Sequence, residues 1–188
     1  MPIERVAGSQ AEEWKKVSSK IVFGAKRYDI VSTDFLRPGD QEWKDVCIKK
    51  EPDCVGILAI TLDQKIVMVR HFRPGPGKIL LELPAGDVDK GEDPLLAATR
   101  ELYEETGFYS EDVVLTGSSY RDAYSTGTFF SVIIKNCIFE GIPGSHKALP
   151  GLREIITVSI EEFREILENE RMTNSEAGFR GLKYLDLL

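Results

Sequence analysis

Three glutamates on one predicted helix are the residues of this sequence best suited to chemistry. Glu101, Glu104 and Glu105 stand at i, i+3 and i+4, a spacing that places their carboxylates on one helix face. Like charges at i and i+4 destabilise an isolated helix by about 0.2–0.5 kcal/mol. A hard divalent cation would remove this conflict, and oxygen ligands favour Mg²⁺ or Mn²⁺ over zinc. The helix alone also fits a solvated acidic face in which Arg100 pairs with Glu104.

The predicted helix has recognisable ends. Asp93 is a suitable N-cap, and Pro94 stands at the first helical position. The helix is expected to end near Thr106, where Gly107 supplies the following residue. The face suited to a core is formed by Leu95, Ala98 and Leu102.

The flanking residues extend this helix into a longer motif. Gly86 is followed after five residues by Glu92 and, after seven more, by the run RELYEETGF that begins at Arg100. This pattern matches the signature GX5EX7REUXEEXGU, with U an apolar residue, so the chain resembles the Nudix hydrolases. The resemblance implies an α+β fold, a Nudix-type α/β/α sandwich with a mixed β-sheet, preceded here by an N-terminal antiparallel β extension.

The resemblance also implies roles for individual residues. The implied ligands of a Mg²⁺ ion, with Mn²⁺ as an alternative, are Glu101, Glu104, Glu105 and the backbone carbonyl of Ala85. Glu101 and Glu105 would be the main ligands and therefore the main catalytic candidates. Glu92 would hold the helix to the preceding loop through Arg100.

Apolar alternation and turn residues place the remaining elements. Residues 20–50 are predicted to form three strands, and residues 10–16 one or two helical turns. Further strands are predicted at 55–62, 66–70, 79–83, 113–120, 128–138 and 154–160, and helices at 160–169 and 175–187. We expect an N-terminal β extension over residues 1–50 and a Nudix hydrolase domain over residues 51–188.

Three features resemble the ADP-ribose and nucleotide-sugar pyrophosphatase subgroup. They are the N-terminal strands, the segment His71-Phe72-Arg73 and the run LELPAG that ends at Gly86. The resemblance implies that Arg73 binds the substrate, although it could be an exposed loop cation. Glu82 is either a paired structural carboxylate or a substrate-binding residue.

In this subgroup the N-terminal strands swap against a second subunit, which implies a homodimer. A swapped strand could bring Trp43 to the substrate site. The alternative is that Trp43 and Trp14 are ordinary packing residues.

The sequence departs from the subgroup at one turn. ADP-ribose hydrolases usually carry Ser-Pro-Gly downstream of the motif, whereas this chain has Ser125-Thr126-Gly127. Proline would fix φ at this turn and threonine cannot, which favours hexose-linked substrates such as UDP- or GDP-sugars over ADP-ribose. The family's general base often lies on a late loop, here residues 141–154. Glu154 and His146 are the candidates there, unless neither serves.

Composition excludes several other classes of protein. The 188 residues carry a net charge of −7, which argues against a broad nucleic-acid-binding face. No apolar run approaches the ~20 residues that span a bilayer, so no membrane partner is expected. The three cysteines include no CxxC pair and are expected to be buried thiols in a reducing cytosol. We therefore expect a cytoplasmic protein.

The expected function is Mg²⁺-dependent hydrolysis of ADP-ribose or a nucleotide sugar to a nucleoside monophosphate and a sugar phosphate. One alternative is a Nudix hydrolase of nucleoside triphosphates or dinucleoside polyphosphates, although small enzymes of that kind generally lack an N-terminal section. Another is a Nudix domain that senses nucleotides without turnover. The crowded glutamates argue against it, because a pure binder does not need them.

Overall fold

Two separate sheets organise the computed structural model, which describes residues 11–39, 41–141 and 153–188. The first unit comprises the described residues before Pro52 together with Asp122–Thr126. The second unit comprises the described residues of Pro52–Arg121 and those from Gly127 onward. The predicted boundary at residue 50 stays a prediction, and it did not include Asp122–Thr126.

The first unit is an antiparallel sheet of three strands in the order β1-β2-β3. The strands are β1 (Lys15–Gly24), β2 (Asp29–Arg37) and β3 (Gln41–Lys50). The predicted helical turns over residues 10–16 are wrong within the described part of the chain. Residues 11–14 are irregular and β1 already begins at Lys15, because pairing with β2 outweighs the weak local preference for a helix.

Asp122–Thr126 adds a short parallel contact to the end of β3. The Lys49 N–H donates to the Tyr124 carbonyl over 2.8 Å, and the Thr126 N–H donates to the Lys49 carbonyl over 3.0 Å. The Ser125 hydroxyl donates to the Glu51 carboxylate over 2.7 Å. Backbone and side-chain bonds thus both fix this turn within the first unit.

The second unit contains a mixed sheet with helices on both faces. Its strands are β4 (Cys54–Thr61), β5 (Ile66–Arg73), β6 (Lys78–Glu82), β7 (Ala85–Asp87), β8 (Phe108–Tyr109), β9 (Asp112–Tyr120), β10 (Thr128–Phe139) and β11 (Arg153–Val158); its helices are α1 (Pro94–Thr106), α2 (Ile160–Asn169) and α3 (Ser175–Tyr184). The main order is β11-β5-β4-β10-β8, with β6 on β5, β7 on β4 and β9 on β10. β4 and β10 are parallel and the other pairs antiparallel.

Side-chain alternation along β4 supplies a core to each face of this sheet. Ile57 packs in a cluster with Leu102 of α1. The next residue, Leu58, packs in a second cluster with Phe163 of α2 and Leu182 of α3. The predicted α/β/α sandwich with a mixed sheet is confirmed. No helix in the described residues has the length and apolar character needed to cross a membrane.

Candidate active site

The helix that carries the three glutamates is fixed at both ends by the predicted capping residues. Asp93 Oδ1 accepts the Leu95 N–H over 2.8 Å and the Leu96 N–H over 3.4 Å. Gly107 adopts φ 73°, and its N–H donates to the Tyr103 carbonyl over 2.8 Å. Glycine adopts this left-handed conformation without the steric cost that other residues incur. The two caps therefore define where α1 begins and ends, and so where the glutamates lie along it.

The chain between β6 and β7 crosses from one strand of the sheet to another. Glu82 at the end of β6 pairs with Val69 of β5, whereas Ala85 at the start of β7 pairs with Gly56 of β4. Between them, the Pro84 carbonyl accepts the Ile57 N–H over 2.9 Å. This crossing places β7 against α1.

Two of the predicted metal ligands contact β7 directly. A Cβ added to Gly86 would lie 1.9 Å from Cδ of Glu101 and 2.1 Å from its Oε2, so the absence of a side chain makes room for that carboxylate. The Ala85 N–H donates to Oε2 of Glu105 over 3.1 Å. Ala85, Glu101 and Glu105, predicted from a sequence motif, thus lie together in space.

Arg100 connects the glutamate face of α1 to the loop before the helix. Its guanidinium donates to both carboxylate oxygens of Glu92, over 2.9 and 2.8 Å, and to the Asp87 carbonyl over 3.1 Å. It also donates to Glu101 over 2.7 Å and lies 3.6 Å from Glu104. The predicted link between Glu92 and Arg100 is confirmed. The alternative pairing of Arg100 with Glu104 is present as well, at the longer distance.

The environment of Glu101 opposes its ionisation, chiefly through burial. Burial of Glu101 raises its pKa, and the neighbouring carboxylates of Glu105 and Glu104 add to that effect, while Arg100 acts in the other direction. In contrast, the hydrogen bonds from Arg100 lower the pKa of Glu92. A cation bound at the buried carboxylate of Glu101 would favour its ionised form.

The donor chemistry of the candidate ligands fits a hard divalent cation. The candidate ligands are carboxylate oxygens and a backbone carbonyl, the donors that Mg²⁺ binds. Within the described ranges, no three His, Cys, Asp or Glu side chains already converge in a geometry that could hold a metal ion. Their oxygens instead contact arginines and backbone N–H groups.

One of these arginines, Arg153, was missed by the sequence analysis. It begins β11, and its guanidinium lies 2.8 Å from Oε1 of Glu105. The two residues are 48 positions apart, so no local pattern links them. The adjacent Glu154, predicted as a catalytic base, lies 3.1 Å from Arg70. Neighbouring residues of a strand point to opposite faces, so Glu154 faces away from Glu105. His146 lies outside the described residues.

Glu82 is the centre of a second cluster. Its fully buried carboxylate accepts hydrogen bonds from Nε of Arg73 over 2.6 Å and from the Thr173 hydroxyl, and it lies 2.7 Å from Nε2 of His71. Burial opposes its ionisation, but the bonds from Thr173, His71 and Arg73 outweigh burial and lower its pKa. Glu82 is thus a paired carboxylate that fixes the predicted substrate-binding residue, Arg73.

Trp43 belongs to an aromatic cluster within the first unit. Its ring lies 5.0 Å from that of Trp14, and the guanidinium of Arg37 lies over both rings, at 5.8 Å from Trp43. Phe35 packs edge-on to Trp14 at 6.4 Å. This environment gives Trp43 packing partners, and its predicted role in substrate binding stays a prediction.

Comparison with known proteins identifies the family. The model of the NUDIX domain matches residues 50–178. The chain belongs to the NUDIX domain family. The predicted enzyme class, a Nudix hydrolase, is confirmed, and Nudix hydrolases generally use divalent metal ions.

Several relatives are similar over most of the chain. A methanol dehydrogenase activator of Bacillus methanolicus is 29% identical, with 93% of this chain and 94% of that protein covered. An ADP-ribose pyrophosphatase of Bacillus subtilis is 26% identical with the same coverage. An ADP-sugar pyrophosphatase of Mus musculus is 42% identical over 50% of this chain and 48% of that protein.

A solved structure shares the fold. The crystal structure of an ADP compounds hydrolase superposes with a TM-score of 0.77 over 95% of this chain and 97% of that one, at 19% identity.

We expect Gly86→Ala to displace Glu101, because the new methyl group would overlap the carboxylate. The affinity for Mn²⁺, measured by isothermal titration calorimetry without substrate, should fall by about 10–100-fold. Gly75→Ala is the matched control, since a Cβ there meets nothing within 4 Å. Wild-type Mn²⁺ affinity in a folded Gly86→Ala protein would contradict the inference that Gly86 makes room for a metal-binding Glu101 carboxylate.

We expect Glu82→Gln to lower the free energy of unfolding by about 1–3 kcal/mol at neutral pH. The reason is that Arg73, His71 and Thr173 would contact a neutral amide in place of a buried carboxylate. The carboxyl of Glu82 has a lowered pKa in the folded protein. Its contribution is therefore complete above the ordinary value of 4.5 and is lost as the pH falls through the folded-state pKa. Denaturant titrations at several pH values should show the difference between wild type and variant narrowing below 4.5; a constant difference would argue against an ionised Glu82.

Proposed function

We propose that the chain is a Mg²⁺-dependent diphosphatase that hydrolyses ADP-ribose or a nucleotide sugar to a nucleoside monophosphate and a sugar phosphate. The observation that carries this proposal is the contact of Glu101 and Glu105 of α1 with β7, at Gly86 and Ala85. Similarity to an ADP-ribose pyrophosphatase and an ADP-sugar pyrophosphatase supports this class of substrate.

The residues that would hold the cation are Glu101, Glu104, Glu105 and the carbonyl of Ala85. When bound, a divalent ion neutralises a diphosphate, polarises phosphorus and lowers the pKa of a water molecule. Mg²⁺ is the proposed ion and Mn²⁺ the alternative, because all proposed donors are oxygens. Arg100 and Glu92 keep α1 in register with the loop that precedes it.

Arg73 is proposed to bind the diphosphate. Glu82 holds its Nε, and 33% of the arginine side chain is exposed to solvent. A guanidinium fixed at one nitrogen loses less conformational entropy when it binds a phosphate oxygen than a mobile one does. Glu82 would thus act on the substrate through Arg73.

Glu154 is proposed as the residue that accepts a proton from the attacking water. Glu154 lies on the strand face opposite Glu105 and pairs with Arg70. The proposed role therefore requires this pairing to break and the Glu154 side chain to turn toward the metal ligands when substrate binds. Kinetics of Glu154→Gln decide this assignment. A proton acceptor contributes about 10²–10⁴-fold, and an unchanged kcat would remove Glu154 from the mechanism.

A substrate panel tests the proposed function. Purified protein with Mg²⁺ would be incubated with ADP-ribose, UDP-glucose, GDP-mannose, a diadenosine polyphosphate and nucleoside triphosphates, and the products separated by ion exchange. A nucleoside monophosphate together with a sugar phosphate is the expected result. Pyrophosphate released from a triphosphate would favour the alternative hydrolase. If no compound is hydrolysed but one of them raises the melting temperature of the protein, the result would favour a nucleotide sensor.

We expect Glu105→Gln to abolish most turnover while leaving the fold intact. The change removes one ligand charge and, at the same time, a like-charge repulsion on α1. The loss of kcat should exceed about 100-fold, since changes outside the ligand shell already cost 10–100-fold. Circular dichroism checks the fold, and Glu168→Gln on the exposed side of α2 is the matched control. A wild-type rate for Glu105→Gln would overturn the proposed metal site.

A homodimer built on the first unit is also proposed. Apolar side chains of β1 stand in solvent, with Ile21 62% and Phe23 57% exposed, and exposed apolar clusters commonly mark protein interfaces. Light scattering coupled to gel filtration should give twice the chain mass for wild type and the chain mass for Phe23→Asp. Lys20→Asp on the same strand should remain dimeric. A monomeric wild type would contradict the proposal.

A cytoplasmic location is part of the same proposal. The odd number of cysteines and the lack of a CxxC pair in the sequence support a reducing compartment. Cys54 and Cys137 are buried as predicted, whereas Cys47 is exposed. Burial raises the pKa of Cys137 to about 12, so this thiol stays protonated at neutral pH.

A further inference from the structure

Arg153 holds one of the proposed metal ligands at two points. One terminal nitrogen of its guanidinium lies 2.8 Å from Oε1 of Glu105, and the other donates to the Glu105 backbone carbonyl over 3.3 Å. The Ala85 N–H occupies Oε2 of the same carboxylate. The side chain of Glu105 is therefore fixed by β7 on one oxygen and by β11 on the other. Its rotation is restricted because both contacts would have to break together.

The contact to the backbone carbonyl has a separate electrostatic reason. The last carbonyls of a helix lack intrahelical partners, and a cation near them is favourable. α1 has no basic residue in its own last turn. Arg153 supplies that charge from β11, a different element of the fold. The same guanidinium thus anchors the end of the helix and orients the carboxylate.

The strand register connects Arg153 to the Glu82 cluster. Arg153 lies opposite His71 in the β5–β11 pair, and His71 contacts Glu82, which holds Arg73. On β11, Ile155 packs in the cluster that contains α1, whereas Ile156 packs in the cluster of α2 and α3. Alternation therefore places Arg153 on the α1 face, beside His71.

We infer that Arg153 is a positioning residue that presets the Glu105 carboxylate for the divalent cation. The inference rests on the proposed function, because it assigns Glu105 to the metal. Arg153 acts through Glu105 and not on the substrate. A lysine could not replace it fully, since a single ammonium lacks the planar fork that reaches a carboxylate and a carbonyl together.

The test measures metal requirement in Arg153→Met and Arg153→Lys. Mn²⁺ binding would be followed without substrate by electron paramagnetic resonance, and the Mg²⁺ dependence of kcat with the substrate found in the panel. We expect Arg153→Met to raise the metal concentration for half-saturation by about 10–100-fold in both assays. Arg153→Lys should recover part of the loss. Substrate KM at saturating metal should stay near the wild-type value.

Arg180→Met is the matched control. Arg180 also contacts a glutamate carboxylate and a backbone carbonyl, at Glu176 and Ser118, so its loss reports general destabilisation. The melting temperature of Arg180→Met should fall, whereas its metal requirement should equal that of the wild type. If Arg153→Met does not fold, Arg153→Lys carries the comparison.

Two results would overturn the inference. Unchanged metal affinity in a folded Arg153 variant would mean that the contact is only structural. Tighter Mn²⁺ binding would mean that the guanidinium competes with the cation. Either result with a fully active wild type leaves the proposed function standing, whereas an inactive wild type that binds no Mn²⁺ refutes the proposed function itself.

Discussion

Repulsion among Glu101, Glu104 and Glu105 is the interaction to which the rest of the site is fitted. Three carboxylates on one helix face cost stability unless positive charge or hydrogen-bond donors lie close by. The protein provides them from three directions: Arg100 from α1 itself, the Ala85 N–H from β7 and Arg153 from β11. Burial still raises the pKa of Glu101 despite its contact with Arg100.

The compensation depends on the crossing between β6 and β7. Asn174, at the start of α3, donates to the Leu83 carbonyl over 2.7 Å, and Thr173 donates to Glu82 just before it. These contacts hold the C-terminal end of β6 and the residue that follows it against the chain that leads into α3. Since Ala85 and Gly86 follow within three residues, an error of one residue in this crossing would move the backbone donors away from α1. The helices on the far face of the sheet therefore contribute to the geometry of the metal site.

The sequence predicted the structural features that depend on contacts between residues close together in the chain. The ends of α1 follow from Asp93 and Gly107, because a cap satisfies groups only a few residues away. The three residues of β7 are too few to show any alternation, and their pairing with β4 is a tertiary contact. Arg153 could not be assigned for the same reason, as its partner lies 48 residues earlier. The weak local propensity of residues 10–16 favours helical turns, but pairing with β2, a tertiary contact, determines the structure where β1 begins. The motif located the glutamates, but not the arginine and backbone donors that orient them.

The turn at Ser125-Thr126-Gly127 shows how a departure from a family pattern can have a structural origin. From the sequence alone, threonine in place of proline favours hexose-linked substrates, since proline would stiffen the turn. The Thr126 N–H, however, donates to the Lys49 carbonyl, a hydrogen bond that proline cannot make. Pairing with β3 can restrict the turn in place of the proline ring. Two different residues thus satisfy the same need for a rigid turn, and the missing proline is weaker evidence against ADP-ribose than the motif alone indicated.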